Sequence, residues 1–214
     1  MRKGILIATI LFTVELFVAQ MVQAQGSLYV SNLGQTPTGS ASIGSDAWIA
    51  QRFIAGTYPG GYSLNSVQLL MDAGSGSPSG FNVSIYSSLS GGSYNNLGNL
   101  VGSDPSAGGL FTYATSGIML SPWTAYYVVV TAATPVAQGA YVWSAAHAFT
   151  DGGDAWTIDN LYFSSADGSS WTAHQRSAVY QLAFYATAVP EPTTLALAWL
   201  GLACLSVWQR RQRK

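Results

Sequence analysis

Between residues 25 and 188 this chain contains no lysine, no glutamate and no cysteine. The cations of that segment are Arg52 and Arg176. They face seven aspartates, Asp46, Asp72, Asp104, Asp151, Asp154, Asp159 and Asp167, for a net charge of −5. A surface of that sign with two cations does not neutralise a phosphate backbone, so nucleic acid is excluded as a partner. Without a thiol the segment forms no internal disulfide and must be held by an apolar core and hydrogen-bonded ladders. The chain's single cysteine, Cys204, lies in an apolar run near the C-terminus and reads as a small apolar helix residue.

The same absences narrow the chemistry. Glycoside hydrolysis needs two carboxyl groups facing each other across a cleft, one of raised pKa, and the segment offers aspartate alone. His147 and His174 have no cysteine partner and no His-x-x-x-His spacing, which argues against zinc. No Gly-x-Ser-x-Gly elbow occurs in the segment. We therefore expect a non-catalytic body without a cofactor. Asp151-Gly-Gly-Asp154 is the densest acidic stretch and reads as a tight turn; a calcium site using Asp151, Asp154 and Asp159 is the sharper alternative.

What the body does contain is β pattern. Phe81, Val83 and Ile85 alternate with Asn82, Ser84 and Tyr86, the period of a half-buried strand. Further strands are expected over 48–54, 63–71, 125–130, 140–144 and 178–185. Gly74 to Gly80 and Ser90 to Asn96 read as turns or loops, as do the Pro37 segment and the Thr134-Pro135 step. Val128 to Val130 is continuously apolar and predicts a central strand covered on both faces, whereas Thr112 to Thr115 predicts an edge. The sum is an all-β, single antiparallel β-sandwich of jelly-roll type over residues 25–188. Trp48 and Trp143 read as core. Trp156 and Trp171 flank a Gly/Asp-rich stretch and are the candidate ligand-stacking residues.

Both ends differ from the body. Arg2-Lys3 leads into an apolar stretch from Ile5 to Val18, interrupted by Glu15, and Val22-Gln23-Ala24 suits signal peptidase, which predicts cleavage between Ala24 and Gln25. At the other end, Val189-Pro190-Glu191-Pro192 precedes the uncharged run 193–208 and a tail at 209–214 carrying Arg210, Arg211, Arg213 and Lys214. Hydrocarbon excludes charge and requires internally paired backbone groups, so 193–208 is expected to be a transmembrane helix with the basic tail in the cytoplasm. Sixteen residues reach about 24 Å, short of a core of roughly 30 Å, so a permanent anchor would usually be longer.

That tetrad, short span and basic end resemble the PEP-CTERM sorting signal of Gram-negative bacteria. The resemblance implies an exosortase, a membrane-embedded cysteine transpeptidase, as the partner that removes the tail and passes the protein from the inner membrane to the cell surface or extracellular matrix. A second resemblance covers roughly residues 28–186. Ala47-Trp48-Ile-Ala-Gln51-Arg-Phe53, Tyr62-Ser-Leu64-Asn-Ser-Val67-Gln-Leu69, Val83-Ser-Ile-Tyr86 and the Tyr126-Tyr127-Val-Val run resemble the choice-of-anchor R group of exported β-sandwich domains, which implies a fold and no active site. Two roles fit the body: a structural or adhesive surface protein, and a module binding extracellular polysaccharide.

Overall fold

The expected alternation is realised in a computed structural model, which describes residues 26–89, 95–147, 150–175 and 179–191. The predicted signal peptide, Ala24 and Gln25, and the tail from Pro192 through the 193–208 helix to Arg210, Arg211, Arg213 and Lys214 lie outside the described residues.

In chain order the strands are β1 (Ser27–Ser31), β2 (Pro37–Ile43), β3 (Trp48–Ile54), β4 (Tyr62–Gly76), β5 (Asn82–Ser88), β6 (Asn95–Leu100) and β7 (Gly109–Leu120). Then follow β8 (Ala125–Thr131), β9 (Gly139–Ala146), β10 (Thr150–Asp151), β11 (Thr157–Ser165), β12 (Thr172–Gln175), β13 (Val179–Tyr180) and β14 (Leu182–Ala188). They form two antiparallel sheets of seven strands each. The first runs β1-β14-β4-β9-β13, with β2 added on β9 and β7 on β4; the second runs β10-β11-β3-β8-β5-β6, with β12 on β11. Fourteen strands in all exceed the eight that define a jelly roll. The only helical turn among the described residues is the 3-10 turn Gly153–Ala155.

The inner faces of the sheets share one core. Phe53 on β3 meets Phe184 on β14 with ring centroids 4.1 Å apart, and Trp143, Tyr62, Leu64, Ile85 and Val128 are fully buried beside them. As the apolar run predicts, β8 lies between β3 and β5 with Val128, Val129 and Val130 all buried. Thr112 to Thr115 falls in β7, which pairs with β4 and otherwise touches a strand partner through the single Val101–Ala114 bridge.

Four expectations are corrected. β4 does not stop at Met71 but continues through Gly74-Ser75-Gly76, because β9 takes over the pairing after a register shift between Asp72 and Ser75. Gly76 holds φ +64 there, a conformation glycine adopts freely. Pro37 opens β2 instead of forming a loop, the strand position at which proline's missing donor costs least. The expected strand over 178–185 divides at Gln181 into β13 on β9 and β14 on β4. Trp48 lies on the outer face of the second sheet, half-buried, and not in the main core.

The division at Gln181 leaves backbone groups that buried amides satisfy. Asn32 donates to the Tyr180 carbonyl (3.0 Å) and accepts from the Leu182 N–H (2.7 Å). Gln51 crosses between the sheets, accepting from Tyr180 N–H (3.2 Å) and donating to the Asp159 carbonyl (2.6 Å). Gln181 itself donates to the carbonyls of Asn32 and Gln35. These bonds offset the burial of the amides, although the Oε1 of Gln181 is buried without a partner.

Candidate functional site

The C-terminal exit is built by β14, an interior strand flanked by β1 and β4. Its last residue, Ala188, pairs with Tyr62, and the ladder extends one step further where Val189 N–H donates to the Gly61 carbonyl at 3.0 Å. Gly61 sits at φ +74 after a turn closed by its own N–H on Tyr58. Gly60 packs so closely on the Val189 carbonyl that a Cβ there would overlap it. Val189 is thus fixed to the sandwich, Pro190 is exposed, and Glu191 is the last described residue. The tetrad emerges at the rim of the fold and not from within it.

Residues 188–212 match the family model of the PEP-CTERM protein-sorting motif. The match begins at the residue where β14 ends, so the PEP-CTERM signal and the sandwich meet at Ala188 without an intervening linker. Signals of this kind are recognised by an exosortase and direct export by membrane-anchored sorting to the cell surface, which makes an exosortase the partner of the PEP-CTERM tail. No curated protein matches the chain.

The predicted ligand residues separate. Trp156 is fully buried: its ring stacks on Phe53 at 6.0 Å and on Tyr29 at 5.3 Å, so the expectation of a ligand-stacking tryptophan there is corrected. Its neighbours Gly152 to Ala155 fold back over it, Gly152 N–H donating to the Trp156 carbonyl at 2.6 Å, and this closure turns a nominal loop residue inward. Trp171 is half-buried on the outer face of the second sheet, edge-on to Trp48 with centroids 6.4 Å apart at 71°.

That outer face carries a small core of its own. Ala50 and Val129, paired across β3 and β8, form the floor, covered by Leu89 and ringed by Trp48, Tyr86, Tyr127, Phe163 and Trp171. Sequence reasoning missed Tyr127 and Phe163, although the unbroken apolar run of β8 was the signal that this face would need covering. Beside it Asn82, Ser84 and Asn99 form a polar row linked by 2.9 Å hydrogen bonds. A cleft of about 420 Å³ opens next to Trp48, with Asp46, Ser164, Ser165, Ser170 and Thr172 on its walls.

The acidic candidates are engaged in structure. Asp159 accepts from Arg52 (2.9 Å) and from Leu161 N–H (3.2 Å). Asp154 is exposed on the 3-10 turn with φ +53, and the side chain of Asp151 lies outside the described residues. No group of three potential metal ligands is present among the described residues. His174 is not solitary: it stacks on Tyr162 and its Nε2 lies 2.7 Å from Ser164 Oγ. Near the opposite end of β4, the Tyr141 hydroxyl donates a short hydrogen bond to Asp104. Burial pushes that tyrosine's pKa up, and the bond to the carboxylate pushes it further. Desolvation opposes ionisation of Asp104, but donation from Tyr141 and Ser106 outweighs it and holds the carboxyl below its usual range.

Proposed function

We propose that this is an exported surface or extracellular-matrix protein whose β-sandwich is a non-catalytic structural or adhesive body, released from the inner membrane when an exosortase removes the tail. The observation that carries the reading is the direct junction of sheet and sorting motif at Ala188. On this reading the 193–208 run crosses the inner membrane with Arg210, Arg211, Arg213 and Lys214 on the cytoplasmic side, and signal peptidase cuts between Ala24 and Gln25. The likeness of the body to choice-of-anchor R domains fits this reading, because such domains join a sandwich to an interchangeable anchor.

A structural role for the acidic residues supports a non-catalytic body. Asp46 accepts from Val136 N–H, Asp72 from Ser144, Asp104 from Tyr141 and Ser106, Asp159 from Arg52, and Asp167 from Ser169. Such carboxylates brace loops and strands. The intact mass of the exported protein tests the proposal: loss of Thr193 onward in cells with the sorting enzyme, and retention of the tail in cells without it, is the expected pair. A full tail on released protein would overturn it.

A second reading, a polysaccharide-binding module, draws on the cleft beside Trp48, whose single aromatic wall and polar rim have the character of a sugar subsite. The edge-on arrangement of Trp48 and Trp171 does not offer two coplanar rings, so we rank it second. Affinity electrophoresis through extracellular polysaccharide of the host decides it: retardation lost in Trp48→Ala would favour the module.

A further inference from the structure

Both ends of the described fold leave from one pole. Gly26 packs against Asn65 and the Ala186 carbonyl, while β14 ends at Ala188 beside Tyr62. The chain therefore enters and leaves the described sandwich at the same end, with the apolar runs 5–18 and 193–208 lying beyond these two points in the sequence. From Val189, the last residue bonded into the sheet, to Thr193 there are four chain steps, at most about 14 Å when fully extended. If the tail enters a bilayer, this pole faces the membrane surface at close range.

Among the described residues the large exposed apolar side chains are Leu28, Val101, Leu110, Met119 and Trp123, and Met119 and Trp123 are at this pole. Ser63 on β4 is paired on one side with Thr187 on β14 and on the other with Met119 on β7, so Met119 lies two strands from the exit strand; it is 52% exposed. Trp123, in the turn between β7 and β8, donates its backbone N–H to Gly56 at 3.0 Å and is 66% exposed. Its φ of +54 lies in the left-handed region, where glycine or asparagine would be at ease and a bulky side chain is an outlier. The fold thus holds a tryptophan outward at a strained turn tip beside the exit. Asp154 lies at the same pole, its carbonyl accepting from Thr57 N–H, and Glu191 follows the exit, so the attraction on offer is apolar and not electrostatic.

The geometry points to a membrane-seating surface: while the tail is intact, Trp123 and Met119 rest in the headgroup region of the bilayer that receives residues 193–208. Tryptophan favours that zone because its ring is apolar and its N–H finds water or headgroup acceptors there. Seating would fix the height and orientation of Val189 to Pro192 above the membrane, and the contact would be released with the tail. This inference rests on the membrane-spanning reading of the tail proposed above.

The test uses the chain from Gln25 to Lys214, without the apolar run 5–18 that would itself bind lipid, in phosphatidylcholine vesicles. Cys204→Ala removes the native thiol; Ser121→Cys, next to the Trp123 turn, then carries an environment-sensitive fluorophore, and Ser77→Cys at the far end of β4 carries the control, roughly 45 Å along the strand. Brominated lipid is expected to quench the probe at 121 at least twofold and leave the probe at 77 unchanged, and Trp123→Ser with Met119→Ser is expected to abolish the quenching while the protein still floats with the vesicles. Flotation without quenching at 121, or quenching that survives the double substitution, would overturn the seating surface and leave the tail reading intact. Failure of the chain from Gln25 to Lys214 to float would overturn the tail reading itself, and the seating surface with it.

Discussion

The amide of Val189 donates to the carbonyl of Gly61 at 3.0 Å, and that bond is where the sandwich hands the chain to its sorting motif. Gly60 permits it by having no side chain against the Val189 carbonyl. Gly60→Ala is therefore expected to displace the exit strand end and cost about 1–3 kcal/mol, the usual range for overpacking. Chemical denaturation checks the loss. Limited proteolysis between Ala188 and Glu191 should accelerate in the same variant.

The buried amides at the β13–β14 division make a second expectation. Asn32→Ala would remove the bond to the Tyr180 carbonyl and the acceptor of the Leu182 N–H together, at about 2–4 kcal/mol for two buried hydrogen bonds lost. Denaturant titration should show the shifted midpoint. Hydrogen exchange should show faster opening at Leu182.

The two candidate tryptophans should behave oppositely. Trp156→Ala removes a fully buried ring that touches Phe53, Tyr29 and Tyr62, and is expected to cost about 3–5 kcal/mol. Trp171→Ala, half-buried on the outer face, should cost markedly less. Thermal unfolding of the pair distinguishes core from cover.

Alkaline pH provides a fourth. Burial is the main cause that raises the pKa values of Tyr113 and Tyr141, with the charge of Asp104 and its bond to Tyr141 adding to the effect. A group whose folded pKa lies above its unfolded value of about 10 stabilises the fold below that pH and withdraws the contribution as pH rises beyond it. The melting temperature should fall above pH 10, and Tyr141→Phe should flatten the slope. Asp104 acts in the other direction: its depressed pKa contributes above about pH 4 and the contribution fades as acid protonates it.

Much of this was legible in the chain. The strands around Phe81 to Tyr86 and Val128 to Val130 followed from period and apolar run, and the edge at Thr112 to Thr115 from polarity. The division at Gln181 was not legible, because nothing in Val179-Tyr-Gln-Leu-Ala-Phe-Tyr185 announces that one half pairs with β9 and the other with β4. Gly74-Ser-Gly76 misled for the same reason: a turn composition was overridden by a partner strand more than sixty residues away in sequence.

The sequence by itself determined the charge-poor, thiol-free β body and the sorting tail, because charge, hydropathy and strand period are properties of consecutive residues. Only the tertiary structure decided that Trp156 is core and Trp171 is cover, that Trp123 points outward, and that both ends of the described fold share one pole. Those outcomes depend on which strands meet, and strand meetings are set by contacts between residues far apart in the chain.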